Sequence, residues 1–155
     1  MASGVMTEAI LIIASIVVAT SIAGVVMSKV GSFESTFTAT SEGQKDTMLT
    51  KLKVIYAANT TTTLNIWTKN IGINPITSPT SMDVYFGQIG LVQKIPYSAS
   101  GGEDTWKFSS LPRMINQTNT FQIQITDSNL IKNQNYMVRI TAPNGVYNDY
   151  VFSLS

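Results

Sequence analysis

An uncharged and mostly hydrophobic run lies near the beginning of the chain. From Ala9 to Ser28 no residue carries a charge, and Glu8 and Lys29 bound this run. A helix of that length is about 30 Å long at ~1.5 Å per residue, which matches the hydrocarbon core of a bilayer. A soluble surface helix would show a polar face, and a buried strand would be far shorter. The pattern therefore predicts a helix over 9–28 that spans a membrane or lies in the core of a filament.

The N-terminal flank distinguishes this segment from a cleaved secretory signal. A signal peptide carries basic residues before its apolar run and small residues at a cleavage site after it. No Lys or Arg precedes Ala9. Residues 1–8 are therefore predicted to form a short tail, and the helix is predicted to be retained.

Small residues recur along the apolar helix at intervals of four. Ser15, Ala19 and Ala23 form one row, and Thr20 and Gly24 lie on the neighbouring row. Small side chains let a second helix approach closely, and in lipid such packing drives helix association. Ala and Gly are also common in solitary spans, so a plain lipid anchor is the alternative. We interpret the five residues as a helix-packing interface.

Beyond the apolar run the hydrophobic positions keep a helical spacing. Val30, Phe33 and Phe37 follow one another at intervals of three and four, with polar residues between them. This spacing is typical of an amphipathic helix. A helical stalk is therefore predicted over 29–48, with Gly43 as a candidate end.

After residue 48 the hydrophobic pattern changes to alternation, which predicts strands. Seven or eight short runs, separated by turn residues, indicate an all-β, immunoglobulin-like antiparallel sandwich over 49–155. The Cys-Trp-Cys signature of true immunoglobulin domains is missing, so only the architecture is predicted. In the first run Leu52, Val54 and Tyr56 alternate with Lys51, Lys53 and Ile55. The predicted core is Leu52, Val54, Leu64, Ile66, Val84, Phe86, Phe121, Ile123, Ile125, Val138, Ile140 and Phe152.

Four large apolar residues are candidates for a partner-binding surface. Alternation places Trp67 on the polar side of its strand, where the stalk or a neighbouring strand covers it or where it forms an exposed aromatic anchor. Ile71, Ile73 and Ile76 lie in a segment whose Gly and two Pro forbid regular structure. These three residues either close one end of the sandwich or belong to the binding surface with Trp67.

The amino-acid composition excludes most kinds of catalytic site. The chain has no Cys and no His, so it lacks thiolate ligands, imidazole ligands and the commonest general base. Asp83, Glu103, Asp104, Asp127 and Asp149 are scattered, and only Glu103 and Asp104 are adjacent in the sequence, so any other carboxylate pair could form only through the fold. A net charge of +1 offers no basic footprint for nucleic acid. The sequence predicts a protein that is not an enzyme and has no catalytic residues, metal or cofactor.

Two tripeptides fit the N-glycosylation motif. They begin at Asn59 and Asn116, in Asn59-Thr60-Thr61 and Asn116-Gln117-Thr118. The modification occurs only outside the cell. In a chain rich in Asn and Thr such tripeptides also arise by chance, so both sites are candidates only.

Three stretches resemble the FlaG family of archaellum accessory proteins. They are residues 1–19, Ser21-Ile-Ala-Gly-Val, and Lys51-Leu-Lys-Val-Ile-Tyr leading to Trp67-Thr-Lys-Asn-Ile-Gly. The resemblance covers roughly the first half of the chain, and the remainder matches in architecture. It implies a non-enzymatic membrane anchor of the archaellum stator that acts with a companion of the FlaF family and other membrane motor components. It further implies a link from the motor to the S-layer, and self-association.

Archaellins and archaeal pilins provide the alternative function, because their apolar N-terminal helices pack into a filament core. Their precursors carry a basic residue before the Gly at which a peptidase cuts. Here Gly4 has no basic residue before it, although Glu8 stands where such helices carry an acid. Mass spectrometry separates the two: an intact Met1 or Ala2 indicates the anchor, and a chain that starts at Val5 indicates the filament subunit.

The orientation in the membrane rests on opposing signals. Lys29, Lys45, Lys51 and Lys53 follow the apolar run, and the positive-inside rule would place that side in the cytoplasm. Long folded domains cross membranes largely regardless of charge. With the glycosylation motifs and the resemblance, we expect a single-pass protein of the cell membrane whose sandwich faces the extracellular (pseudoperiplasmic) side.

Overall fold

A computed structural model describes residues 2–60 and 62–154 and contains a long helix followed by β-strands. The helix is α1 (Ala2–Leu49). The strands are β1 (Leu52–Asn59), β2 (Thr63–Asn70), β3 (Asp83–Gln88), β4 (Gln93–Ile95), β5 (Thr105–Phe108), β6 (Thr120–Thr126), β7 (Asn135–Thr141) and β8 (Tyr147–Ser153). A short 3-10 helix lies at Pro79–Ser81.

Helix α1 differs from the sequence expectation at its beginning and near its end. It begins at Ala2, so residues 2–8 of the predicted tail are helical. The segment contains no Pro to interrupt the backbone hydrogen bonds. The helix also continues through Gly43 to Leu49, and the candidate end at Gly43 is wrong. A single Gly costs a helix only about 1 kcal/mol, and Glu42, Gln44 and Lys45 around it are good helix formers.

The first compact unit consists of residues 1–44, and its described part, residues 2–44, is the larger part of α1. This helix is long and apolar enough to cross a membrane, and its most apolar stretch has no buried residue. Ile13, for example, is 62% exposed. The hydroxyls within the run are satisfied locally, since Ser15 Oγ donates to Ile12 O at 2.7 Å and Thr20 Oγ1 to Ile16 O at 2.9 Å. Such internal pairing is what a hydrocarbon environment requires.

The second compact unit begins at Lys45 and contains two antiparallel sheets. One sheet has the strand order β1-β2-β6-β5, and the other has the order β4-β3-β7-β8. The inward-facing residues of both sheets form a single hydrophobic core. The prediction of an N-terminal helix followed by an antiparallel sandwich is confirmed.

The core contains all twelve residues of the predicted core, although Phe152 is only partly buried. Sequence reasoning left out Trp106, which is 1% exposed and is the largest fully buried side chain. Its ring contacts Tyr97 at 4.9 Å and Phe108 at 5.2 Å between centroids. The core therefore contains an aromatic cluster that the sequence analysis did not recognise.

Tyr56 departs from the regular alternation of its run, because β1 contains an irregularity. Val54 pairs with Thr68 while Tyr56 pairs with Trp67, so the register shifts at Ile55. A β-bulge of this kind places two residues opposite one and reverses the alternation beyond it. Tyr56 consequently points outward and is 56% exposed.

Candidate interaction surfaces

The end of α1 is bonded into one end of the sandwich through the backbone. Leu49 O accepts hydrogen bonds from Ile73 N at 2.8 Å and Asn74 N at 3.1 Å. Lys51 O accepts from Ile71 N at 2.8 Å and from Gly72 N at 3.0 Å. A helix end leaves its last carbonyls without helical partners, and here the loop after β2 supplies a partner for Leu49 O. We call this set of contacts the junction.

Gly72 allows the close approach at the junction. An ideal Cβ at this position would lie 2.4 Å from Lys51 N and 2.5 Å from Leu49 O. Real side chains do not tolerate such distances to backbone atoms. Gly72 is thus required by the backbone that faces it, whereas the sequence indicated only that this Gly and two Pro prevent regular structure in the segment.

Polar side chains complete the junction. Asn144 Nδ2 donates to Thr50 Oγ1 at 2.8 Å, and Asn74 Nδ2 donates to Asp46 Oδ1 at 3.1 Å. The fully buried Asn70 donates to Asn74 O at 2.9 Å and accepts from Gly72 N at 3.0 Å. Asp46, Thr50, Asn74 and Asn144 also line a cavity of about 370 Å³. The polar atoms of this cavity are largely engaged in holding the junction together.

The predicted partner-binding surface is only partly exposed. Ile76 is 4% exposed, and its backbone exchanges two hydrogen bonds with Ile115, so its assignment to a surface is wrong. The bridge between the two residues turns both side chains into the core. Ile73 is 62% exposed and Ile71 is 39% exposed. Trp67 is half-buried and packs against Tyr56, with 5.6 Å between ring centroids.

The outer face of the β1-β2-β6-β5 sheet combines lysines, aromatic rings and amides in neighbouring rows. In the first row Lys53 lies directly opposite Lys69. The second row is Tyr56–Trp67–Gln122, and the third row contains Asn65–Gln124–Lys107. We call this surface the lysine–aromatic face, and its residues are Lys53, Tyr56, Asn65, Trp67, Lys69, Lys107, Gln122 and Gln124.

The residues of the predicted helix-packing interface all lie on the exposed surface of α1. Gly24 has open space where a Cβ would stand. Ser15 and Thr20 bond to their own helix backbone. The role of these residues, with Ala19 and Ala23, stays a prediction.

The two glycosylation candidates lie in different surroundings. Asn116 is exposed in the loop before β6, where Thr118 has a φ of 66°. Asn59 is half-buried at the end of β1, and Thr61 of its motif lies outside the described residues. Both sites stay predictions.

The fold brings together three acids that the sequence presents as scattered. One carboxylate oxygen each of Glu103, Asp104 and Asp127 lies within 4.8 Å of the others. Ser128 Oγ and Ser128 N donate to Glu103 Oε1 at 2.5 and 2.6 Å, and these hydrogen bonds lower the pKa of Glu103. Only the adjacent pair Glu103-Asp104 signalled the group in the sequence. With no His or Cys in the chain, neither residue type can accompany these acids as a base or nucleophile.

Comparison with known proteins places the chain among components of archaeal motility structures. The archaeal-type flagellin family matches residues 2–152. The archaellum periplasmic stator protein FlaG from Sulfolobus acidocaldarius is 29% identical, with a TM-score of 0.61 over 67% of this chain and 100% of that chain.

A chain of the periplasmic stator complex of FlaF and FlaG from the same organism is 33% identical. It has a TM-score of 0.60 over 67% of this chain and 90% of that chain. No curated protein matches the chain. The resemblance to FlaG is confirmed, and the chain belongs to the archaeal-type flagellin family.

Proposed function

We propose that this chain is a non-enzymatic, membrane-anchored stator element of the archaellum motor. The proposal rests chiefly on the 33% identity to a chain of the FlaF–FlaG stator complex, which this chain covers to 90%. The exposed apolar helix supports it, because its surface requires lipid or another helix. We further propose a companion of the FlaF family and other membrane motor components as partners.

The proposed topology is a single crossing of the cell membrane with the sandwich outside. Residues 9–28 supply the span, and the sandwich contacts the cell envelope, including the S-layer. A static element between motor and envelope requires a membrane anchor and a folded external domain in the same chain. This chain contains a candidate for each.

Cysteine labelling tests this topology directly, because the chain has no native Cys. Ser100→Cys places a thiol on an exposed loop of the sandwich, and Ser3→Cys places one near the start of α1. On intact cells a membrane-impermeant maleimide should label the Ser100→Cys protein. The Ser3→Cys protein should react only after permeabilisation. The reverse pattern contradicts the proposed orientation.

We propose that the helix-packing interface mediates self-association or contact with a partner helix. Ala23→Leu with Gly24→Leu makes the span more hydrophobic, so insertion should survive while close helix approach is blocked. Cross-linking and swimming should then be lost at an unchanged level of membrane protein. Ile13→Leu with Val17→Leu is the matched control and should behave like the native protein. If the Ala23/Gly24 variant still cross-links and swims, α1 is a plain anchor.

The second candidate function is a filament subunit of archaellin or pilin type. The observation in its favour is that the flagellin family match extends over residues 2–152 and so includes the helix. A stator should be labelled by antibody only at the archaellum base and should retain Met1 or Ala2. Labelling along the filament, with a mature chain that starts at Val5, would establish the filament subunit instead.

A further inference from the structure

We infer that the lysine–aromatic face binds an acidic glycan chain of the cell envelope. The inference deepens the proposed function, since it rests on the sandwich being outside the membrane and names the chemistry of its partner there. Three features of the face support it: unpaired lysines, an aromatic pair and a ladder of amides.

The lysines of this face lack the counter-charges that the opposite sheet provides. Lys53 and Lys69 are direct cross-strand neighbours, an arrangement that destabilises a sheet. Across residues 2–60 and 62–154, neither has a carboxylate within 4.0 Å. On the other sheet, Lys94 reaches Asp83 at 2.8 Å. Charge complementarity therefore calls for an anionic group above the lysine pair.

The Arg on the opposite sheet also has partners that the lysines of the lysine–aromatic face lack. Arg139 Nε lies 2.6 Å from Asp149 Oδ1, and its guanidinium stands over the ring of Tyr147 at 4.4 Å. On that sheet a cation and an aromatic ring thus form a cation–π contact. On the lysine–aromatic face the rings pair with each other, and the cations are left to an external ligand.

The aromatic pair provides an apolar platform next to the lysines. Tyr56 is 56% exposed and stands beside the half-buried Trp67, with an angle of 34° between the rings. The bulge in β1 creates this pair, because regular alternation would have turned Tyr56 into the core. Exposed Tyr and Trp offer broad apolar contact at low entropic cost, which suits the C–H faces of sugar rings.

The amide ladder supplies uncharged hydrogen-bonding groups in the next row. Asn65 Oδ1 accepts from Gln122 Nε2 at 2.9 Å and from Gln124 Nε2 at 3.0 Å. Each amide offers two donors and an acceptor, so these two contacts use only part of the ladder's capacity. The contacts also fix the amides in place before binding. Preorganised donors and acceptors of this kind match the hydroxyl groups of a saccharide.

The same charges disfavour a second copy of the chain as the occupant. Two lysine–aromatic faces brought together by a two-fold axis would oppose one cationic surface with another. An acidic glycan satisfies all three features, whereas a neutral glycan leaves the lysines unused. An acidic polypeptide uses the lysines without needing the rings.

The test measures binding of hyaluronan oligosaccharides to the full chain in detergent micelles. Trp fluorescence reports on the face, because Trp106 is 1% exposed and only Trp67 can meet a ligand. We expect a saturable emission change with hyaluronan and none with neutral dextran of matched length. Trp67→Ala, and separately Lys53→Gln with Lys69→Gln, should each weaken binding about tenfold, as for residues that dominate an interface. Because Trp67→Ala removes the reporter, calorimetry measures affinity for every variant.

Matched controls lie on the other sheet and in a loop. Tyr147→Ala removes an exposed aromatic, and Lys132→Gln removes an exposed cation, and neither should change the affinity. Removing the opposed lysines should also leave the melting temperature unchanged or raised, since it relieves a like-charge pair. Loss of binding without loss of stability separates a ligand site from a structural one.

Three outcomes would overturn the inference. They are the absence of saturable binding by hyaluronan, equal binding by poly-L-glutamate, and affinity that none of the face variants changes. Equal binding of poly-L-glutamate would point to an acidic protein partner instead. None of these results bears on the stator proposal, which is tested separately by the cysteine and antibody labelling experiments.

Discussion

The two compact units of this chain differ in whether their hydrophobic residues are exposed or buried. In the first unit the large apolar side chains are exposed, as with Ile13 at 62%. In the second unit alternation turns them inward, and Ile140 is fully buried. The helical unit is therefore complete only with lipid or a partner helix around it. The sandwich has a hydrophobic core of its own, and we expect it to fold without either.

The two units also differ in whether their polar side chains form local or long-range hydrogen bonds. Hydroxyls in α1 bond to carbonyls three or four residues earlier, as Thr20 does with Ile16 and Val17. In the sandwich, polar side chains join distant segments, as when Asn148 Oδ1 accepts from Val54 N at 2.9 Å. Local bonds can form within an isolated helix, whereas long-range bonds require the completed fold. Stability of the sandwich should consequently respond to single substitutions that the helix tolerates.

The largest expected difference concerns the isolated units. Residues 45–155 expressed alone should be soluble and melt cooperatively, because the core lies within that unit. Residues 1–44 should require detergent or lipid. Circular dichroism and thermal melts of both fragments test this, and a disordered or aggregated 45–155 fragment would refute it.

The next largest effect is expected at the centre of the aromatic cluster. Trp106→Ala should lower the free energy of unfolding of the sandwich by about 3–5 kcal/mol, because it removes the largest buried ring and leaves a cavity. Urea unfolding of the full chain in micelles, followed by circular dichroism of the β signal, measures the loss. Trp67→Ala serves as the control for aromatic content and should cost far less, since Trp67 is half-exposed.

The same exchange in the two units should give different results. Ile140→Ala should cost the sandwich roughly 2–5 kcal/mol. Ile13→Ala should leave its unfolding unchanged, because Ile13 belongs to the helical unit. A cost below ~0.5 kcal/mol at Ile140, which is usual for surface positions, would mean that the register of β7 is reversed.

Two glycines should respond to Ala with opposite signs. Gly72→Ala should destabilise the junction by about 1–3 kcal/mol, the range typical of strained substitutions, because its Cβ meets the backbone at 2.4 Å. Gly31→Ala in the exposed helix should add about 0.5–1 kcal/mol to helix stability. Unfolding curves measure the former, and helix content in micelles measures the latter. If Gly72→Ala did not destabilise the protein, the absence of a side chain at Gly72 would not be needed for the junction.

The smallest effect is expected at the ion pair on the outer face of β7 and β8. Hydrogen bonding by Arg139 lowers the pKa of Asp149, so the pair stabilises the sandwich above the usual Asp pKa and ceases to do so as the pH falls through the lowered value. Asp149→Asn should therefore lower the melting temperature slightly at neutral pH and leave it unchanged in strong acid. Asp104→Asn is the control. A difference from native protein that grows in acid would contradict this linkage.

The fold was predictable from the sequence because periodicity reports on burial. The break from helical spacing to alternation located the two units, and alternation identified buried residues such as Leu64 and Ile123. The errors have physical causes. Alternation cannot reveal the bulge that turns Tyr56 outward, since a bulge depends on pairing with a neighbouring strand.

Long-range contacts explain the other differences. Trp106 lies in a short strand between polar residues, and only packing against Tyr97 and Phe108 makes it central. Ile76 lies in the core because of its bridge to Ile115. The lysine–aromatic face was equally hidden, because its rows form only when four strands pair. Trp67 alone signalled it in the sequence.

The junction also determines how tension would pass along the chain. A pull on the last turn of α1 reaches the peptide groups of Leu49 and Lys51 before it reaches β1. Four backbone hydrogen bonds from residues 71–74 hold those two groups, so the stress divides among them instead of falling on the edge of the sheet. Such a parallel clamp yields only when several bonds fail together. Because the clamp is built from peptide groups, its strength should depend little on salt or acidity.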